Sequence, residues 1–324
     1  MKFSATNNKA VYPVLGIPVQ VYAENPDLGR LIENRYGHWR KVPIEDKSGQ
    51  PVMVVNIEDF RSSNNRVGSE EIAYKVKEYL VEAYGPGFSF MVDRKSGRAE
   101  AKVDPRVAAN RDFFIRSILD TMVLFLATSI DRIPLHAAVI ICHETAMILC
   151  GQAGSGKTTL AYELYRRGAG VLAESVVYIS FNSLYRLWGD VQSFNLRPDA
   201  KEIFPELADL KAKKLPNGKT KIQLNLPKPG QDDRRLFNFN GPMKLVMVER
   251  VKNSQSTLEA IAYEEAFKKL LRDLEPGFDL SHEFKSKMPH FPVSGAYRLQ
   301  AGDDLHRKAD LIEMLCAGGK SSEK

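Results

Sequence analysis

Residues 146–167, AMILCGQAGSGKTTLAYELYRR, constrain this chain more than any other stretch. The apolar run Ala146 to Cys150 reads as a buried strand. Gly151-Gln152-Ala153-Gly154-Ser155-Gly156-Lys157-Thr158 then fits the phosphate-binding pattern G-x-x-x-x-G-K-[ST]. Leu160, Ala161, Leu164 and Tyr165 follow at helical spacing, and Gly168 is placed to stop the helix. Glycines let the backbone curl so that successive N–H groups point inward at a polyphosphate. A helix opening near Lys157 adds its positive N-terminal end. The expected binding segment runs through Thr159. Lys157 reaches the phosphates, and the Thr158 hydroxyl is a Mg²⁺ ligand. Strand, loop and helix occur in the order this chemistry needs.

At 324 residues, 44% hydrophobic and 27% charged, the chain has the composition of a globular protein with room for one large domain or two ordinary ones. A net charge of +6, from 46 basic and 40 acidic residues, suits nucleotides, acidic peptides or phosphorylated molecules. It is too mild an excess to indicate specific nucleic-acid binding. The three cysteines, Cys142, Cys150 and Cys316, make neither a disulfide framework nor a zinc spacing. The first residues lack the apolar core of a signal peptide, and the longest apolar stretch, Met122 to Ile130, is too short to span a bilayer. A cytoplasmic protein without a membrane partner is the expectation.

The flanking sequence divides into a β-rich N-terminal domain over 1–104, a catalytic domain over 105–316 and a flexible tail over 317–324. In the first, strands are expected at Val11–Val21 and Pro51–Ile57, a short helix at Tyr74–Tyr84, and a hairpin at Phe88–Val103 with a basic turn. No chemical motif stands out there, so a small antiparallel platform is the simple reading, with a substrate-recognition domain as the alternative. Pro105–Asp131 reads as one long helix that bridges to the second domain. Leu135–Ile141 turns at Cys142–Thr145 into the strand before the loop, unlike a plain parallel doubly wound sheet. Further expected elements are a strand at Tyr185–Val191, a short helix at Pro198–Leu210, a strand at Lys221–Leu226 after an Asn217-Gly218 turn, and a mobile loop at Lys228–Arg235. A strand at Leu245–Val251, an amphipathic helix at Thr257–Leu274 and a closing helix at Asp304–Leu315 complete the reading.

Most phosphate-loop proteins place a metal-organising aspartate on a separate, later strand. Here the nearest carboxylate, Glu174, lies only 17 residues beyond Lys157, which points to a compact kinase variant. No guanine-specific Asn-Lys-x-Asp is present. The ordered features Leu135-His136-Ala137-Ala138, the loop Gly151–Thr158, Arg166-Arg167-Gly168, Leu172-Ala173-Glu174-Ser175-Val176-Val177, and Asn195-Leu196-Arg197-Pro198 to Phe204-Pro205-Glu206-Leu207 carry a resemblance. The chain resembles the catalytic domain of HPr kinase/phosphorylase and its stand-alone relatives, whose core is shared with ATP-dependent phosphoenolpyruvate carboxykinases. The likeness covers roughly residues 130–210.

The resemblance implies an α/β fold of that P-loop kinase type beside a smaller β-rich domain. It also implies ATP and Mg²⁺ as cofactors. The family's histidine falls on His136, although a histidine opening an apolar strand is ordinarily a core residue. The family's Asp-Asp pair falls on Glu174 and Ser175. Glu174 is then the base that takes the acceptor's proton, or a metal organiser, with Thr158 and Ser175 as the other metal contacts. Ser175 supplies no charge, so either Thr158, Glu174 and phosphates hold the metal or catalysis is weakened. No copy of the family's phosphorolysis signature is seen, so kinase activity alone is expected. Arg197 is a candidate for substrate phosphate, and Lys211, Lys213, Lys214, Lys219 and Lys221 for a lid or acidic-peptide groove. The expected acceptor is a serine of a small protein or ribosomally made peptide. A small-molecule kinase and a nucleotide-binding regulator without turnover stay open, as does a homo-oligomer.

Overall fold

The computed structural model describes residues 9–44, 53–63, 67, 71–181, 185–214, 218–227, 234–272 and 281–318. The chain forms two compact units, Met1–Arg132 and Ile133–Lys324.

The first unit is built on a seven-stranded mixed sheet. Its strands are β1 (Lys9–Val14), β2 (Ile17–Ala23), β3 (Met53–Asp59), β4 (Ala73–Lys77), β5 (Leu80–Gly85), β6 (Phe88–Asp93) and β7 (Arg98–Val103), in the order β1-β2-β3-β7-β6-β5-β4. Helix α1 (Pro26–Tyr36) follows β2; α2 (Pro105–Ala109), α3 (Arg111–Phe113) and α4 (Asp120–Thr128) follow β7. The alternation in β7 turns Ala99, Ala101 and Val103 inward, in phase with Phe88, Phe90 and Val92 of β6. Helix α4 packs on β3, β6 and β7 with Met122, Val123, Phe125 and Leu126 buried.

Two expectations are corrected here. Tyr74–Tyr84 is not a helix but the β4–β5 hairpin, in which Val81 and Ala83 alternate inward. Pro105–Asp131 is not one continuous helix. Asn110 leaves helical geometry, its side chain caps Phe113 N–H at 3.3 Å, and a wider π turn spans Phe114–Leu119. These helices also lie in the first unit, which ends at Arg132.

The second unit centres on a six-stranded sheet in the order β11-β9-β10-β18-β20-β19. Its chain order is β8 (Ile133–Leu135), β9 (Ala138–Cys142), β10 (Thr145–Cys150), α5 (Lys157–Arg166), β11 (Gly170–Ala173), β12 (Val177–Ser180), β13 (Arg186–Trp188), β14 (Ser193–Leu196), β15 (Ala212–Lys214), β16 (Thr220–Asn225), β17 (Asn238–Phe239), β18 (Met243–Arg250), β19 (Thr257–Ile261), α6 (Tyr263–Arg272), α7 (Ser281–Lys287), β20 (Ala296–Ala301) and α8 (Leu305–Ala317). The β9–β10 hairpin turns through His143 and Glu144, both at positive φ, as a primed turn requires. Strands β10, β18 and β20 are parallel.

Both faces of this sheet are covered, which explains its near-continuous apolar strands. Met147, Leu149, Val246, Val248 and Leu299 lie in one core with residues of α5, α8 and β14. Ala146, Ile148, Cys150, Leu245 and Met247 lie in the other with β8, β12, β13 and α6. All three cysteines are free and buried.

Three local expectations change in this unit. Thr257–Ile261 is a strand paired with β20, and the helix begins only at Tyr263. Pro198–Leu210 is two 3₁₀ turns, Pro198–Glu202 and Pro205–Leu207, because Pro205 cannot continue a helix. Residues 217, 228–233 and 319–324, on which the Asn217-Gly218 turn, the Lys228–Arg235 loop and the tail were expected, lie outside the described residues; Ala317 still belongs to α8. Among the described residues no helix is long and apolar enough to cross a membrane.

Candidate functional site

The glycine-rich loop joins β10 to α5 at the C-terminal edge of the parallel strands. Gly151, Gly154 and Gly156 all take positive φ, and Gly156 caps α5. A Cβ on Gly151 would sit 2.4 Å from the Val248 carbonyl oxygen, so β18 leaves room only for glycine. The Ser155 N–H bonds the Gln152 carbonyl at 3.1 Å and closes the loop. Ser155 Oγ is buried without a hydrogen-bond partner among the described residues. Lys157 is buried, and its Nζ donates to the carbonyls of Gly151 at 2.6 Å and Gln152 at 3.1 Å. Gln152, Ala153, Gly154 and Gly156 are exposed, and Thr159 is half-buried on the first turn of α5.

Glu174 follows β11 and meets the first turn of α5. Thr158 Oγ1 donates to its Oε1 at 2.9 Å, and Asn195 Nδ2 to its Oε2 at 3.4 Å. Burial pushes the Glu174 carboxyl above its ordinary value. Hydrogen bonds from Thr158, Asn195 and Ser175, and the charge of Lys221, oppose that rise. Ser175 is exposed beside it.

His136 comes near this bend through the backbone. Ala173 pairs with Val139 and Val177 with Leu135, four residues apart on both segments. His136-Ala137 and Glu174-Ser175-Val176 are the links between those two pairings, and none of these five residues is itself in a strand. His136 is half-buried and already has an interaction of its own.

Arg197 places a guanidinium nitrogen 3.9 Å from where a Cβ on Gly154 would be. Of the lysines expected to form a lid, Lys213 and Lys221 face one another across β15 and β16. Burial lowers the Lys221 ammonium below its ordinary value. Arg197 and Lys219 add repulsion, while Glu174 and Asp199 oppose it.

Sequence reasoning missed a cleft of about 420 Å³ on the β18 side of the loop, lined by Gly151–Ser155, Met247–Arg250 and Lys269. Lys269 pairs with Glu249 across it. The available signal was the apolar run Leu245–Val248 ending in Glu249-Arg250, which was read only as a strand.

Among the described residues no group of three or more His, Cys, Asp or Glu could hold a metal. The two adjacent hard oxygens, Thr158 Oγ1 and Glu174 Oε1, nevertheless suit Mg²⁺, which takes one or two protein oxygens and completes its shell with phosphate and water.

The fold and site define a mixed α/β protein with a glycine-rich strand–loop–helix joined to a carboxylate. No family model matches the chain, and no curated protein does. A solved structure of the HPr(Ser) kinase/phosphatase from Coxiella burnetii is similar at 12% identity, covering 58% of this chain and 95% of that one, with a TM-score of 0.29. A likeness that shallow assigns no activity here.

Proposed function

We propose that the chain is an ATP-dependent kinase that transfers the γ-phosphoryl group to a hydroxyl, a serine of a peptide or small protein. The observation that carries this reading is the Thr158–Glu174 hydrogen bond, which ties a carboxylate to the first turn behind the loop. In this reading the inward amides of Gly151–Thr159 and the Lys157 ammonium hold the triphosphate. Lys157 exchanges its bonds to loop carbonyls for phosphate oxygens, and Ser155 Oγ gains a partner. Mg²⁺, held by Thr158, Glu174 and phosphate with Ser175 alongside, would neutralise charge developing on the transferred group.

Phosphoryl transfer asks the protein for alignment and charge more than for covalent chemistry. Glu174 takes the acceptor's proton on Oε2, the oxygen more weakly engaged by its neighbour. Asn195 orients that oxygen, and His136 lies beside the same bend. The cleft beside Glu249 and Lys269 has room for the nucleoside.

The test is Glu174→Gln. ATP affinity should persist while transfer falls about a hundredfold to ten-thousandfold, the scale of general-base loss. Lys157→Ala should weaken both. If the parent chain binds ATP with magnesium yet transfers nothing to peptide or small-molecule hydroxyls, the turnover-free regulator replaces this reading.

A further inference from the structure

Strands β14, β16 and β15 form a three-stranded sheet of their own. One face is core, where Phe194, Leu196 and Ile222 are buried. On the other face Asn195 lies opposite Gln223, and Lys221 opposite Lys213. Continued by one residue, the register sets Arg197 opposite Lys221. Three cations therefore form a row across the sheet: Lys213, Lys221, Arg197. Like charges placed directly opposite destabilise a sheet. The anions acting on Lys221 are Glu174 and Asp199, and Lys219 adds a further positive charge.

The row has a direction. Its Arg197 end reaches the loop at Gly154, while strands spaced ~4.8 Å apart put Lys213 roughly 10 Å further off. Arg197 can serve a triphosphate held in the loop. Lys221 and Lys213 extend past it, on the face that carries Asn195 and its Glu174 partner. They are positioned for whatever presents its hydroxyl to Glu174.

We propose that the acceptor is an acidic peptide, with a carboxylate within two residues of the reactive serine, and that Lys221 and Lys213 bind that carboxylate. The inference rests on the phosphoryl-transfer reading and adds the substrate's charge to it.

The test uses the full chain with magnesium and the non-hydrolysable analogue adenylyl imidodiphosphate. Two fluorescently labelled peptides are compared by anisotropy: Ac-Ala-Asp-Ser-Glu-Ala-amide and its neutral counterpart Ac-Ala-Asn-Ser-Gln-Ala-amide. The acidic peptide should bind about tenfold more tightly, the scale of a charge-assisted contact. With ATP the same preference should appear in transfer. The double variant Lys213→Gln, Lys221→Gln should lose the discrimination, and Lys213→Gln alone should reduce it while its ATP affinity stays within about twofold, because an exposed charge two strands beyond Arg197 contributes little to it. Equal affinity for both peptides, or discrimination that survives in the double variant, overturns the inference while leaving nucleotide binding intact. Binding of L-malate, a free hydroxy acid, without binding of the acidic peptide overturns the peptide acceptor. Failure to bind ATP at all sinks the kinase reading itself, so the two failures are distinguishable.

Discussion

At the scale of single residues, Glu174 is held between opposing forces. Burial favours its protonated form, and Thr158, Asn195 and Ser175 favour the carboxylate. In the proposed transfer, a base held above its ordinary pKa stays protonated to higher pH, so transfer should fall as pH drops through that raised value. The acid limb of kcat/KM should therefore lie above the ordinary glutamate range. Asn195→Leu removes a donor to the carboxylate, so the limb should move to still higher pH. A limb that Asn195→Leu leaves unmoved would exclude Glu174 as its source. Gly151 is a second such residue. A methyl group there meets the Val248 carbonyl in a backbone conformation that side chains rarely adopt. Gly151→Ala should cost about 2 kcal/mol or more in urea unfolding and lower ATP affinity with it.

Among the elements, α5 is held at its far end by a charge network. Arg167 bonds Glu163 on its own helix at 2.9 Å and Asp310 and Glu313 of α8 at 2.7 and 3.0 Å. The Glu163 side chain is only 4% exposed, so Arg167→Ala leaves a nearly buried carboxylate short of a partner. The loss should be about 1–2 kcal/mol of unfolding free energy, with faster hydrogen exchange in α8. In the first unit Asp104 caps α2 by accepting from the Arg106 N–H at 2.9 Å, and its other oxygen accepts from Ser62 N–H at 2.9 Å. The Arg106 side chain beside it holds the Asp104 carboxyl well below the usual carboxylate range. Its contribution is complete above the unfolded pKa and is lost as pH falls toward the lowered folded value. Asp104→Ala should cost about 1–2 kcal/mol near neutral pH, and the deficit should shrink as acid is added. An unchanged deficit across that range would mean the charge plays no part.

The whole molecule is two compact units on one chain. A fragment beginning at Ile133 retains both cores flanking the six-stranded sheet, together with the loop and Glu174. It should unfold cooperatively and bind ATP within a few-fold of the full chain, a result that calorimetry can read. A fragment beginning at Pro105 carries α2–α4 without β3, β6 and β7, their packing partners, and should be the less soluble of the two.

What the sequence decided alone was local: a strand, a loop with glycines where the backbone enters the left-handed region, and a helix begun by Lys157. Covalent geometry and backbone hydrogen bonding write those features into consecutive residues. Hairpins β9–β10 and β6–β7 were legible for the same reason. The helical periodicity of Pro105–Asp131 was legible too, but not the sheet it would cover, since an apolar stripe does not name its partner. Thr257–Ile261 was misread because its strand character comes from pairing with β20, forty residues away. Only the tertiary structure put Asn195 and Lys221 beside Glu174, aligned Arg197 with Lys213, and opened the cleft at Glu249. Those neighbours are chosen by register and by the packing of separate strands, and no spacing along the chain encodes them.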